Sequence, residues 1–226
     1  MAPDPGALPR CPWCEGSAME RDYHDREWGV PTDDERGLFE LLTLEGAQAG
    51  LAWRTILAKR DGYREAFAGF DPARVARFDA RRVGRLVGNP AIVRHRGKIE
   101  STVANARTLL ALHRTGTTLA ALAWSVVGGR PLAPRYRAGA SIPARTPSSD
   151  ALAKLFAAHG FRFVGSTTCQ AFMQAAGLTN DHLAGCHRHD AVAALGRAFE
   201  LRVRPRAPAS SSSGSRVARA PRGSAP

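Results

Sequence analysis

The stretch DARRVGRLVGNPAIVRHRGKIESTVANARTLLALHRTG (Asp79–Gly116) decides the fold. Asp79 is a good N-cap for a short helix that carries Val83, Leu86 and Val87 at helical spacing. Gly88-Asn89-Pro90 then breaks the pattern, and a longer helix resumes near Arg96 with Ile99, Val103, Leu109 and Leu110 before Gly116 stops it. A short helix, a tight turn and a longer helix make a candidate helix-hairpin-helix.

The flanking sequence is punctuated in the same way. Upstream, Thr32 or Asp33 can cap a helix with Leu38, Leu41, Leu42 and Ala49 on one stripe, a second helix runs through Trp53, Ile56 and Leu57, and Asp71-Pro72 starts another. Downstream, Thr117 or Thr118 opens a helix through Leu122 and Val126, and a long Pro- and Arg-containing connection runs from Gly128 to Pro147, of a length that is usually functional or mobile. Ser148 or Ser149 caps a helix to His159, another runs from about Ser166 to Ala176, and Asp190–Phe199 is a final amphipathic helix. No convincing alternating strand and no internal repeat is present, so the expected fold class is all-α.

The chain has 226 residues, 44% hydrophobic and 23% charged, which is ordinary for a globular protein and excludes disordered, collagenous and membrane-spanning classes. One domain is expected over residues 11–200, with a flexible N-terminus at 1–10 and a basic tail at 201–226. The opening MAPDPGALPR lacks the basic start and apolar run of a secretory signal, so a cytoplasmic location is expected.

A net charge of +12 and a pI near 10.8 favour a polyanionic partner. Only Lys59, Lys98 and Lys154 are lysines; the other basic residues are arginines, which fork onto phosphate oxygens. The tail carries Arg202, Arg204, Arg206, Arg216, Arg219 and Arg222 with no acid, so half of the net charge sits there. Its Pro, Ser, Ala, Gly and Arg composition predicts disorder from about residue 204, as a basic arm for DNA or as a solvated extension.

Cysteines and histidines gather at the two ends: Cys11, Cys14 and His24 near the start, and His182, Cys186, His187 and His189 near the end. They either build a tetrahedral zinc site that joins both ends or are unconnected thiols and surface imidazoles; the clustering favours the metal. Cys11-Pro12-Trp13-Cys14 also has the spacing of a redox dithiol, but no strand can precede it in ten Pro-rich residues. Glu45 interrupts the stripe of Leu38, Leu41 and Leu42, and a carboxylate on a core face needs a partner or a task. It is either a salt bridge at a helix end or an acid, base or base-reading group in a pocket. Trp13, Tyr23, Trp28 and Trp53 are either core or flat faces on which an extruded nucleobase stacks.

Five blocks in register carry a resemblance: RDYHDREWGVP (Arg21–Pro31), LFELLTLEGAQAGLAW (Leu38–Trp53), RHRGKI (Arg94–Ile99), GFRFVG (Gly160–Gly165) and QAAGLTNDHLAGC (Gln174–Cys186). Together they are similar to the 3-methyladenine DNA glycosylase I family, from about Cys11 to Cys186. The resemblance implies an all-α fold of the helix-hairpin-helix DNA glycosylase superfamily. It also implies a monofunctional enzyme that hydrolyses the N-glycosidic bond of 3-methyladenine in alkylated double-stranded DNA and so initiates base excision repair. A structural zinc is implied at Cys11, His24, His182 and Cys186, which leaves Cys14 outside. Glu45 matches the carboxylate that hydrogen-bonds the extruded base, Tyr23 and Trp53 the aromatics that sandwich it, and Trp13 and Trp28 further aromatics near the pocket. Arg94, Arg96 and Lys98 are expected on the DNA backbone, and the protein is expected to act as a monomer.

Three positions depart from the family pattern. Asn89-Pro90-Ala91 stands where the hairpin commonly has Gly, and Pro90 removes an amide donor. Ala52 replaces a Ser often found before the motif Trp, and Glu20 stands where some relatives have a pocket Tyr. Two competing classes are a zinc-stapled DNA-binding module without catalysis, which leaves a core-face carboxylate beside aromatics unexplained, and a thiol oxidoreductase.

Overall fold

The computed structural model describes residues 8–202; residues 1–7 of the expected N-terminal segment and the tail from 203 onward lie outside the described residues. Among the described residues eleven α-helices follow one another: α1 (Ala18–Arg26), α2 (Glu35–Gln48), α3 (Trp53–Leu57), α4 (Arg60–Ala66), α5 (Pro72–Val75), α6 (Ala80–Val87), α7 (Arg96–Arg114), α8 (Leu119–Ser125), α9 (Pro147–Ala158), α10 (Ser166–Ala175) and α11 (His187–Ala198). A single parallel bridge between Leu132 and Thr179 is the only sheet-like pairing among the described residues. The all-α expectation therefore stands.

Helix α2 is the axis of the molecule. Leu38, Phe39, Leu41, Leu42, Leu44 and Ala47 are all buried, and α3, α7, α8 and α10 pack around it. A helix apolar on nearly every side belongs inside a bundle rather than on its surface. Phe67 and Phe70 fill one side of the core, and Trp124, Phe156 and Phe172 the other.

Most helix starts follow the side chains that can accept from orphan amides. Ser17, Asp71, Asp79 and Thr118 cap α1, α5, α6 and α8. Helix α2 is capped by Asp34 rather than Thr32 or Asp33, because Asp33 is drawn to the amide and guanidinium of Arg202, both at 2.8 Å. Helix α9 starts at Pro147 with Thr146 as its cap and Ser149 reciprocating, two or three residues before the expected cap at Ser148 or Ser149, because Pro is preorganised for the first helical position. Cys186 caps α11, which begins at His187.

The expected hairpin is present as α6, an eight-residue turn (88–95) and the start of α7, with α5 and α6 packed on α7. The turn is held from inside the protein. Asn89 Oδ1 accepts from the Ala91 amide at 2.9 Å, Tyr63 Oη accepts from the Val93 amide at 3.2 Å, and Lys59 Nζ donates to the Pro90 carbonyl. Gly62 lies so close to the Ala91 carbonyl that a Cβ would collide with backbone, which fixes how α4 meets the hairpin.

The long connection between α8 and α9 is stitched down, not loose. Leu132 N donates to Leu178 O at 2.9 Å, Asn180 N to Leu132 O at 2.8 Å, and Ala184 N to Tyr136 O at 2.7 Å. These bonds bring the connection over one mouth of the bundle, beside the segment that carries His182 and Cys186.

Candidate active site

A cleft of about 580 Å³ opens between α1, α2, α3, α10 and the connection. Its wall includes Trp13, Tyr23, Trp28, Glu45, Gln48 and Trp53, faced by Ile142 and Pro143 and by Gln170 and Gln174 of α10. The volume is in the range of small-molecule sites.

The chemistry of the cleft lies in what its polar atoms lack. Glu45 is buried, and its Oε2 has no hydrogen-bond partner. Tyr23 Oη, Trp13 Nε1 and Trp53 Nε1 are likewise buried and unpartnered. Buried polar groups in folded proteins are nearly always satisfied, so four orphans at one cavity mark a place prepared for a polar ligand. Among the described residues no cation reaches Glu45, so nothing there supports the salt-bridge alternative. Burial pushes its carboxyl up to about 8, and raises the Tyr23 phenol well above its usual value, with the Glu45 charge adding to the effect.

That shift has a stability consequence. Between the ordinary glutamate range and pH 8 the folded state holds a proton that the unfolded chain has released, so stability falls as pH rises through this window and levels off above it. The Glu45→Gln variant is expected to gain on the parent between pH 5 and 8 and to keep a constant advantage above that. Urea unfolding at pH 5, 7 and 9 measures the difference.

The aromatics are together, as expected. Trp13 meets Trp28 edge-on at 5.1 Å between ring centres and Tyr23 at 6.3 Å. Tyr23 and Trp53 stand 5.4 Å apart with planes tilted by 50°. A third ring between them needs about 7 Å, two carbon contact distances, so the two rings touch and form adjoining faces of the cleft. Trp53 is only partly buried, and Ala52 at the α3 N-cap supplies no side-chain bond, so its helix start is weakly tethered. Glu20 is turned to the hydroxyl of Ser17 at 2.9 Å and does not line the cleft.

Below the aromatics, Cys11, His24, His182 and Cys186 converge in full burial, with ligand atoms all within 4.8 Å of one another. Cys11 Sγ lies 3.7 Å from His182 Nδ1, and Cys186 Sγ lies 3.4 Å from His24 Nε2 and 3.6 Å from His182 Nδ1. Sulfur and nitrogen on a tetrahedral zinc are about 3.5 Å apart, so the group has the right size. The outer partners also fit. His182 Nε2 donates to the Trp28 carbonyl at 3.0 Å, and His24 Nδ1 to Asp25 at 2.8 Å, which leaves the other nitrogen of each ring free as a lone pair toward the cluster. A hydrogen bond from Cys11 holds Cys186 toward thiolate, the form in which a cysteine ligates a metal. Cys14 points elsewhere and donates to the Cys11 carbonyl at 3.1 Å, so the CPWC stretch is not a ligand pair. These four residues could hold a metal ion.

Arg94 and Arg96 are exposed at the start of α7, where Arg96 pairs with Glu100. Lys98 is not free at the surface: its Nζ donates to the carbonyls of Ala47 and Ala49, at 2.8 and 2.6 Å. The sequence reading missed Gln170, Gln174 and Asp181. Asp181 is buried and accepts from Gln174 Nε2 at 2.7 Å, Gln170 Nε2 at 3.2 Å and Thr179 Oγ1 at 2.7 Å, which fixes both amides in the cleft wall. Two glutamines four apart on one helix were the available signal.

Residues 13–189 match the family model described as methyladenine glycosylase. DNA-3-methyladenine glycosylase 1 of Escherichia coli is 45% identical over 179 residues, covering 79% of this chain and 96% of that protein. A crystal structure of 3-methyladenine DNA glycosylase I aligns with a TM-score of 0.78 at 49% identity, over 80% of this chain and 99% of the other. A variant of 3-methyladenine DNA glycosylase I solved in complex with 3-methyladenine aligns with a TM-score of 0.76 at 35% identity, over 80% and 97%.

Proposed function

Because the chain belongs to the methyladenine glycosylase family and is by that membership a hydrolase of N-glycosyl bonds, we propose that it excises 3-methyladenine from alkylated double-stranded DNA, taking the extruded base into the cleft and reading it with Glu45. The observation that carries this reading is the unpartnered Glu45 carboxyl among unpartnered Tyr23, Trp13 and Trp53 groups. The glycosylase domain corresponds to residues 11–200, within which the family match falls.

Methylation at N3 makes the adenine cationic while it is attached to the sugar. Cleavage of the C1′–N9 bond returns the bonding pair to the base and neutralises it, and water adds at C1′ and gives up a proton to solvent. Little acid catalysis is needed, so selection lies in binding. In the free protein burial favours the protonated form of the Glu45 carboxyl. A cationic base compensates the charge, the proton leaves to solvent, and the carboxylate accepts from the exocyclic amine. Unmodified adenine brings no such compensation. Faces of Tyr23 and Trp53 add stacking and a cation–π attraction, with Trp13 and Trp28 completing the apolar wall.

Zinc fits the Cys11, His24, His182 and Cys186 group, and four protein ligands leave no open position, so its role is to clamp the two ends of the domain around the cleft. On the DNA side, the amides of Ala91, Val93, His95 and Lys98 are engaged within the protein. Pro90 brings none, so the phosphate contact falls to the amides of Arg96 and Gly97 and to the guanidinium groups of Arg94 and Arg96. The expected location is the cytoplasm and the acting form a monomer; no helix of the described residues is long and apolar enough to cross a membrane.

Chromatography of bases released from methylated duplex DNA by the metal-loaded chain tests the activity. Free 3-methyladenine is expected, in amounts proportional to enzyme. No release by a folded protein that still binds the DNA would favour a non-catalytic binding module.

A further inference from the structure

We propose that Lys98 is a positioning residue that ties the DNA-binding start of α7 to the end of α2 carrying Glu45, and not a contact to the DNA backbone. The proposal rests on the excision reading above.

Three observations carry it. The Lys98 ammonium donates to the carbonyls of Ala47 and Ala49, at the last turn of α2 and its C-cap. These carbonyls have no partner within their own helix, and a cation there also meets the negative end of the helix dipole. Burial against this turn lowers the Lys98 pKa. The amide of the same residue donates to the His95 ring at 3.2 Å, closing the first turn of α7, and its carbonyl accepts from Ser101 and Thr102. One residue thus joins the turn offered to a phosphate with the turn two residues beyond Glu45. Glu45 itself has no hydrogen bond to fix its carboxyl, so its place depends on where α2 ends.

The alternatives for Lys98 fail on the same geometry. An ammonium held by two carbonyls is not available to a phosphate without giving them up. Nor is it a free amine that could form a Schiff base with the sugar.

The test compares the full metal-loaded chain with Lys98→Met and Lys98→Gln. Affinity for methylated duplex DNA is read by anisotropy between 50 and 200 mM salt, and release of 3-methyladenine under single turnover, normalised to folded protein. Removal of a phosphate contact lowers the salt slope by about one unit; removal of a positioning bond leaves it unchanged. The expected result for Lys98→Met is an unchanged slope, half-saturation within twofold, and a rate constant at saturation lowered about tenfold or more. Lys98→Gln, which keeps an uncharged NH₂ donor group, is expected to recover part of that rate, and it reports in place of Lys98→Met if the latter does not fold. A slope lowered by one, or a saturated rate within twofold of the parent, overturns the proposal while the excision reading stands. Absence of release from the parent chain itself overturns both.

Discussion

Glu45→Gln is expected to lower the single-turnover rate of 3-methyladenine release at least about 100-fold with little effect on affinity for undamaged DNA. Gln is nearly isosteric, so α2 and the aromatic walls keep their places. What is lost is the negative charge opposite a cationic base, together with hydrogen bonds to a charged acceptor, worth about 1.5–3 kcal/mol each. Such a loss lowers the share of bound duplexes that hold the damaged base in the cleft, and the single-turnover rate falls with that share. The variant stays folded because Glu45 stabilises nothing in the free protein: its Oε2 has no partner and its ionisation is opposed by burial. Loss of activity with equal or greater alkaline stability separates a functional carboxylate from a structural one. A variant as active as the parent would remove Glu45 from the mechanism.

Loss of the metal is expected to be the largest stability effect. Cys11 lies before α1, His24 is within it, and His182 and Cys186 precede α11, so the cluster closes a loop of more than 150 residues through buried side chains. Without an ion, two thiols and two imidazoles are crowded together in full burial with no cation to hold them. Structural zinc sites contribute several kcal/mol or more to folding; a loss of about 5 kcal/mol shifts the midpoint by about 10–20 °C in a chain of this size. Thermal unfolding with and without a strong chelator should show that shift. His24→Ala and Cys186→Ala should reproduce it, and Cys14→Ser should not, because Cys14 lies outside the cluster. An unchanged midpoint in chelator, with no metal in the purified protein, would show that the four side chains act without an ion.

The sequence made Glu45 visible because a carboxylate at core spacing is anomalous on any helix, whatever surrounds it. It made the Cys and His residues visible because their types are rare and their clustering is not accidental. The helix order was legible from caps and breakers, which act within a few residues. The exact caps were not, because Asp33 and Asp34 are equivalent locally and only the distant Arg202 decides between them. Helix α1 was missed because its surface is mostly polar, so only Tyr23, His24 and the cap Ser17 mark it. The bonds of Lys98 to carbonyls of α2 were not legible, because those partners lie about 50 residues away and only the packing of α7 on α2 brings them together. The contact between Tyr23 and Trp53 likewise depends on where α3 sits, which no spacing reveals.

A crystal structure of the metal-loaded chain with 3-methyladenine shows where the base lies. The expected result is the base in the cleft, its exocyclic amine within hydrogen-bond distance of the Glu45 carboxylate, and Trp53 moved to let the ring lie against Tyr23. A base bound elsewhere, or one in the cleft with Glu45 still unpartnered, would contradict it.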